Sequence, residues 1–347
     1  MLLIGRIRSL ILFDVAEEIR LSQVREILGI GESDRSVAAP RPGPDYVRFE
    51  RPPITEPVDG GQIKYYDYGV ISYEVDQDFC CDWKTLIAET SRRVMDPSLE
   101  PKALALIRRL VERIERAVVK PYTEWLSEDY HFVTVTPDET SAQELLNRFG
   151  NEIAQVVRGE ALPLSDSERQ EVLQSRISYY PNDLLVVGWS AAFVYDTLNA
   201  AGPTVQLLEY ANTQLLELRH YDDLLTKVLA AVHVSLERRG LLRRWRMAAD
   251  AERLNTIRLD ITELTERMDN AIKFVSDMFY ARMYRMASAR VGVPDYRRLV
   301  EQKLQTAAAL YEFMVDQFHQ ARGFVLELLV IIILLIEIAP LFFKGKG

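Results

Sequence analysis

The pattern of apolar positions changes character near residue 200 of this 347-residue chain. Before that point, strand-like runs rich in Val, Ile, Tyr and Phe alternate with helical patterns. The strand-like runs are 9–15, 62–75, 129–136 and a pair of short strands within 181–197. Helical periodicity covers 21–28, 83–93, 102–119 and 141–158. This mixture predicts an α+β domain over residues 1–200.

After Gly202 the chain has helical periodicity nearly to its end, with a clear break only at 292–295. Apolar residues there recur at alternating steps of four and three, which is a heptad seam. The seam comprises Ile257, Ile261, Leu264, Met268, Ala271, Val275 and Met278. A return helix that begins after Pro294 can face this seam. The pattern therefore predicts a long antiparallel helical hairpin over residues 204–322.

The closing segment, Phe324–Phe343, contains 20 residues that are almost all apolar. At a rise of about 1.5 Å per residue, this length matches a hydrocarbon core of about 30 Å. A fully buried soluble helix is the alternative, but residues 328–336 are apolar on every face and a terminal helix is rarely enclosed on all sides. We therefore expect one C-terminal transmembrane helix at 324–343, which follows the α+β domain and the helical hairpin.

Two carboxylates interrupt this apolar run, Glu327 and Glu337. Glu327 lies about one helical turn inside the run, so its side chain can extend to the lipid headgroups. Glu337 lies about 10 Å from the far edge, where a charge costs roughly 2–3 kcal/mol. We expect Glu337 to be protonated or to contact a neighbouring protein, which predicts that the chain self-associates.

The spacing of these glutamates carries a resemblance to a known family. Leu326-Glu327, nine residues of mostly Leu, Ile and Val, and then Glu337 resemble the closing membrane helix of the required-for-meiotic-nuclear-division family. "FDVAEEIRLSQVREIL", "YYDYGVISYE" and "QLLELRHYDDLL" (214–225) are further similarities, and the last departs from eukaryotic members at His220–Asp223. The resemblance implies a divergent bacterial member with membrane anchoring, self-association and support of translation at the membrane. It implies no catalytic residues.

A second candidate contact region, "RRGLLRRWR" at 238–246, carries five arginines in nine residues of an otherwise acidic protein. Its candidate contact residues are Arg238, Arg239, Arg243, Arg244, Trp245 and Arg246. The predicted hairpin puts this region close to the membrane entry at Phe324, where arginines would meet anionic lipid headgroups and a tryptophan would suit the interface. Two alternatives stay open: a solvated helix face, and a site for ribosomal RNA or an acidic protein surface.

Charge and cysteine content limit which cellular compartment and which partners we expect. The net charge of −9 opposes binding to a phosphate backbone, so no DNA partner is expected. Cys80 and Cys81 are adjacent and offer no zinc spacing or disulfide framework, which is typical of a reducing compartment. The apolar start is too short for a signal peptide and runs straight into Asp14. We therefore expect a single-pass protein of the inner (cytoplasmic) membrane, with its N-terminal domain in the cytoplasm.

Motifs that carry chemistry are absent from the sequence. It has no phosphate-binding loop, dinucleotide fingerprint, zinc-protease motif or nucleophile elbow. Two E-x-x-H pairs, Glu217/His220 and Glu128/His131, have the spacing of di-iron sites, but only the first lies on a predicted helix. We expect no catalytic residues, cofactor or metal.

The expected function is a non-enzymatic, membrane-anchored scaffold or assembly protein that forms homo-oligomers. One alternative is an oligomeric transporter or channel subunit with a cytoplasmic funnel, which Glu337 could line. A second alternative is a membrane tether for the translation machinery, with the ribosome or another protein as its partner.

Overall fold

A computed structural model describes residues 1–30, 47–49, 51–237, 243–270, 272–274 and 278–344, with side chains for most of them. The chain divides into two compact units. The sheet unit comprises Met1–His220 and Glu266–Arg297, and the helical unit comprises Tyr221–Thr265 and Arg298–Gly347. Each unit is therefore built from two separate stretches of the chain.

An eight-stranded sheet organises the sheet unit, with strand order β3-β4-β5-β1-β6-β9-β8-β7. Its strands are β1 (Leu3–Ile19), β3 (Ile54–Val58), β4 (Gly61–Tyr65), β5 (Val70–Cys81), β6 (Val118–Val135), β7 (Arg176–Ile177), β8 (Leu184–Val187) and β9 (Ala191–Tyr195). Neighbours pair antiparallel except β6 and β9, which are parallel. A separate two-stranded sheet joins β2 (Val47–Phe49) to β10 (Ile272–Phe274).

The long central strand β1 defines two sheet faces with different chemistry. Because side chains alternate along a strand, Ile7, Ile11 and Phe13 share one face, which we call the apolar face. Leu10 and Asp14 share the opposite one, which we call the polar face. Pairing of β1 with both β5 and β6 carries this division across the centre of the sheet.

Helices cover the apolar face and bury two hydrophobic clusters there. They are α1 (Leu21–Leu28), α2 (Trp83–Val94), α3 (Leu99–Arg113), α4 (Ala142–Arg158) and α5 (Asp166–Gln174). Three of these helices begin at side chains that accept a hydrogen bond from the first turn: Asp82, Ser141 and Ser165. Such caps fix the helix starts because they satisfy N–H groups that have no partner within the helix.

The first part of α6 (Gly202–Glu237) covers the polar face of the sheet. Its Glu209 contacts Lys64 and Tyr66, which extend from the end of β4. The turn that follows β4 is tight, with the N–H of Tyr66 donating to the carbonyl of Val70 at 2.9 Å. Gly69 in this turn has a φ of +93°, and a Cβ atom there would lie 1.7 Å from the Ala16 carbonyl oxygen. Only glycine fits this position.

Three helices form the helical unit: the second part of α6, α7 (Arg243–Asn270) and α9 (Val293–Lys344). Their apolar side chains pack in layers. One layer joins Val228, Leu254 and Ala307, and the next joins Val232, Ala251 and Met314. From the first layer to the second, the residue numbers fall along α7 and rise along α6 and α9. Helix α7 therefore runs antiparallel to the other two.

The predicted continuous hairpin is wrong between residues 270 and 292. There the chain leaves α7, forms β10 and then α8 (Met278–Val291), and only after Gly292 does α9 begin. Ile272 and Phe274 are β-branched and aromatic residues that favour a strand, and their backbone pairs with Phe49 and Val47. In the predicted seam, Ala271 and Val275 lie outside the described residues.

The predicted C-terminal transmembrane helix is also wrong. Among the helical residues that the structure describes, no helix is long and apolar enough to cross a membrane. The uncharged run between Glu327 and Glu337 has a length of about 14 Å, less than half of a hydrocarbon core of about 30 Å. The tail-anchored, single-pass inner-membrane location depended on this helix and is corrected with it. The channel and membrane-tether alternatives also required this span.

Candidate functional site

The sequence-predicted contact residues lie on two helices of the helical unit. Arg243, Arg244, Trp245 and Arg246 form the first turn of α7, and Glu327 and Glu337 belong to α9. Arg238 and Arg239 lie outside the described residues, as do the side chains of the other six. Their assignment as partner contacts stays a prediction.

Beyond the packed layers, α9 carries a segment of seven consecutive apolar residues, Leu329–Leu335, which we call the apolar segment. Each of these side chains is between 45% and 62% exposed. Successive helical positions are about 100° apart, so seven of them cover the whole circumference of the helix. An isolated helix that is apolar on all faces is expected to be covered by other molecules, because such a surface is costly in water.

A second heptad seam, on α9, continues from the packed layers into the apolar segment. Within the three-helix packing, the seam positions are buried or half-buried: Val300, Leu304, Ala307, Tyr311 and Met314. Further along the sequence, the same heptad positions are again apolar: Phe318, Ala321, Val325, Leu328, Ile332 and Leu335. The sequence therefore repeats, beyond Met314, the pattern that packs against other helices before it.

As far as the structure describes them, the other two helices of the unit do not follow α9 this far. From the layer at Met314, α6 continues five residues to Glu237, and α7 extends eight residues back to Arg243. At about 1.5 Å per residue these helices reach roughly 8 and 12 Å further, whereas α9 runs about 45 Å to Lys344. The apolar segment is thus beyond the ends of both helices.

A different kind of site lies in the sheet unit, where α6 meets the polar face. The ammonium group of Lys64 contacts the carboxylates of Glu74 and Glu209, the latter at 2.5 Å. The hydroxyl of Tyr66 donates to Glu209 Oε1 at 2.5 Å, and Arg8 lies 3.1 Å from Glu74. The two glutamates are only 1–2% exposed. We call these five residues the ionic cluster.

Burial and charge separate the two carboxylates of the ionic cluster. Burial and the neighbouring Glu74 carboxylate raise the pKa of Glu209 to about 7. Although burial alone would also raise the pKa of Glu74, Lys64 and Arg8 outweigh it and lower that pKa to about 2. The result is one ionised carboxylate beside one that holds a proton below neutral pH, as expected when like charges share a dry site.

A second buried group lies further along α6. The imidazole Nδ1 of His220 is 2.8 Å from Asp14, which has no exposed surface. Burial raises the pKa of Asp14 well above its usual range, while a hydrogen bond with Glu217 lowers it. The ring of Tyr122 stacks on His220 with 4.2 Å between centroids. The α6 surface that faces the sheet is therefore polar over several turns.

The E-x-x-H pairs noted in the sequence have separate structural roles. Glu217 and His220 both belong to the group around Asp14. Glu128 pairs with Arg219, whereas His131 contacts the Ser9 hydroxyl at 3.0 Å. Residues i and i+3 of a strand point to opposite faces, so the second pair cannot converge on one ion. Within the described residues, no three His, Cys, Asp or Glu side chains are arranged to hold a metal ion.

Sequence reasoning missed the ionic cluster, although α6 carries one local signal of it. Glu209, Thr213, Glu217 and His220 follow each other at steps of four, four and three, which puts them along one helical face. All four are buried or half-buried. A polar stripe at this spacing, flanked by apolar residues, indicates a helix that buries polar groups against a partner rather than exposing them.

The fold defines a mixed α/β sheet protein with helices on both faces of the sheet, together with a three-helix unit. The chain belongs to the family described as "Uncharacterized protein MJ0711, N-terminal domain", whose model matches residues 4–201. The uncharacterized protein MJ0711 of Methanocaldococcus jannaschii is 21% identical over 187 residues, which covers 54% of this chain and 57% of that relative. The chain thus matches little more than half the length of this curated relative.

The resemblance to the meiotic-nuclear-division family is therefore wrong, and the relative is archaeal rather than bacterial. The specific part of that resemblance was the glutamate spacing in the apolar tail. This tail lies outside residues 4–201, the part of the chain that the family model matches. A short run of Leu, Ile and Val between two glutamates has low complexity and recurs in unrelated helices, so it is a weak guide to ancestry.

Proposed function

We propose that this protein is a non-enzymatic assembly protein whose copies associate through the C-terminal part of α9. The observation that supports this function is the exposed apolar segment, Leu329–Leu335, on a helix that extends past its neighbours. Burying half-exposed Leu, Ile and Val side chains contributes on the order of 1 kcal/mol each. Seven such side chains per copy therefore favour association of the copies.

The occupant that fits this surface is the α9 helix of further copies. A helix that uses heptad positions to pack within its own chain, and continues them beyond it, matches an identical helix in length and spacing. Because the segment is apolar around its whole circumference, contact on one side leaves the rest in water. A bundle of several α9 helices covers more of the segment than a shallow groove on one partner protein would.

The proposal is tested by charging one side of the helix in the full-length chain. In the variant Ile332→Glu/Leu335→Glu, the seam carries two carboxylates that would be desolvated in a bundle. We expect the wild-type chain to be an oligomer and this variant to be a monomer. The molar mass in solution, measured by light scattering after size-exclusion chromatography, distinguishes the two.

A matched control puts the same two charges on the opposite side of the same segment. Val330→Glu/Ile333→Glu changes net charge and apolar area to a similar extent but leaves the seam intact. We expect this control to remain oligomeric. A monomeric wild-type chain would refute self-assembly. Flotation of the wild-type chain with phosphatidylcholine vesicles, lost equally in both variants, would identify lipid as the occupant instead.

A further inference from the structure

A groove lined by three arginines lies between α4 and α5 in the sheet unit. It encloses about 510 Å³, within the range of pockets that hold small ligands. Besides Arg148, Arg169 and Arg176, its lining includes four side-chain amides and a short apolar floor. Among these described lining residues there is no Asp or Glu, although the protein has a net charge of −9.

The groove follows from a break in α4. Phe149 has non-helical dihedrals, with φ −130° and ψ 23°, so the axis of α4 changes direction there. The next residue, Gly150, is buried, and a Cβ atom at this position would lie 3.3 Å from Leu173 Cδ1 of α5. The absence of a side chain lets α5 approach the kink, and Arg148 and Asn151 extend from either side of it.

The three guanidinium groups retain donors for a ligand. Arg169 bonds to Asn151 Oδ1 at 3.0 Å and lies 3.2 Å from Asp166 at the start of α5. Arg148 has a long contact of 3.4 Å to Glu144, and Arg176 donates to the Leu173 carbonyl at 2.5 Å. A guanidinium has five N–H donors, and these contacts use one or two on each residue. Each guanidinium therefore retains N–H donors beyond these contacts.

This donor set selects the chemistry of the ligand. Planar guanidinium forks bind carboxylate and phosphate oxygens in pairs, more strongly than neutral donors do. Two of the three arginines already have an acidic neighbour, but together the guanidinium groups of α4, α5 and β7 offer more N–H donors than a single monovalent anion needs, and they suit an anion with two or more charged groups. The amides of Asn147, Gln170 and Gln174 can donate to or accept from the uncharged part of the same molecule.

We propose that the α4–α5 groove is a binding site for a small polyanion that carries at least two phosphate or carboxylate groups. The site lies within the sheet unit and does not depend on self-assembly through α9. Binding joins α4, α5 and β7 through one ligand, so it stabilises the sheet unit against unfolding, and this stabilisation rises with the logarithm of ligand concentration above Kd.

Titration calorimetry of the full-length chain with pyrophosphate, citrate, inorganic phosphate and acetate tests the proposal. We expect saturable binding of pyrophosphate or citrate, and weaker binding of phosphate and acetate, because single anionic groups engage fewer arginines. Preference for pyrophosphate over citrate would identify a phosphorylated ligand, and the reverse preference would identify a polycarboxylate.

Arg176→Gln removes one cation from the edge strand β7 and should weaken binding about tenfold, the loss of one charge-assisted hydrogen bond. Arg148→Gln is a second variant on α4, with an independent structural environment. The matched control is Arg92→Gln, which removes an exposed arginine that pairs with Glu89 on α2. It should bind as the wild type does.

Two results would overturn the site. One is the absence of saturable binding by any of the four anions to a folded wild-type chain. The other is an equal weakening in Arg92→Gln and in the groove variants, which would indicate a general effect of charge. Thermal unfolding of each variant without ligand establishes that it is folded before binding is compared.

Discussion

On one face of the β-sheet, helices α2 to α5 bury Leu, Ile, Val and Phe against one another; on the other face, the start of α6 buries charges. The apolar face needs only shape and volume to match, because its side chains have no polar groups to satisfy. The polar face needs a specific partner for each charge, because a buried charge of the ionic cluster is costly without the others. The attachment of α6 is therefore specific in a way that burial by apolar contact alone is not.

The largest loss of stability should come from Lys64→Met on the polar face. This change leaves the carboxylates of Glu74 and Glu209 buried together without the cation that joins them. Removing one partner of a buried ion pair costs about 3–5 kcal/mol in the free energy of unfolding. Urea unfolding followed by tryptophan fluorescence measures it, because Trp83, Trp125 and Trp189 all lie in the sheet unit.

The control for this change is Lys84→Met, which removes an exposed lysine at the start of α2. A surface lysine of this kind contributes less than about 0.5 kcal/mol. Equal stability losses in the two variants would mean that the ionic cluster has no special energetic role.

The next largest effect, about 3 kcal/mol in the free energy of unfolding, should be a pH-dependent loss of stability that Glu209→Gln reduces. The pKa of Glu209 is raised from 4.5 in the unfolded chain to about 7 in the fold. Between these values the folded chain holds a proton that the unfolded chain has lost, so stability falls as pH rises through this window. Glutamine mimics the protonated acid and titrates no proton. Urea unfolding between about pH 5 and pH 7.5 measures the difference.

Glu160→Gln, at an exposed position after α4, is the control and should leave the pH dependence of the wild type unchanged. A Glu209→Gln variant that loses stability with rising pH as steeply as the wild type would show that another group carries the proton. Asp14 is the alternative group, because burial raises its pKa as well.

The smallest loss of stability should come from the apolar face, where Ile153→Val removes one buried methyl group of α4. Such a change costs roughly 0.5–1.5 kcal/mol, and the loss should be the same at about pH 5 and pH 7.5 because no titrating group is involved. Ile27→Val on the exposed side of α1 is the matched control. A pH-dependent loss in Ile153→Val would remove the distinction between the two faces.

Local signals account for the elements that the sequence predicted well. The helices expected at 21–28, 83–93 and 141–158 are confirmed to within one residue at either end. Two of them begin at caps, Asp82 and Ser141, that are visible in the sequence. The strands expected at 181–197 are confirmed as β8 and β9. In each case the apolar spacing and the flanking residues determine the element without reference to the rest of the chain.

The errors occur where local patterns compete with distant contacts. The helix expected at 102–119 ends at Arg113, because Val118 and Val119 suit a strand and pair with β1. Strand β1 is longer than the expected 9–15, because Arg6 and Arg8 look like surface charges but pair with acids across β5. The ionic cluster joins residues 145 positions apart, at Lys64 and Glu209, and no local pattern connects them.

Family similarity and folding divide this chain at different places. The family model ends at residue 201, one residue before α6 begins, yet Glu209 of α6 completes the ionic cluster on the sheet. A recombinant fragment cut at 201 would leave Lys64 and Glu74 open to water and expose the apolar residues beside them. Residues 266–297 also belong to the same unit. A fragment intended for crystallisation or NMR should therefore extend to residue 297, or join 220 to 266 through a designed linker.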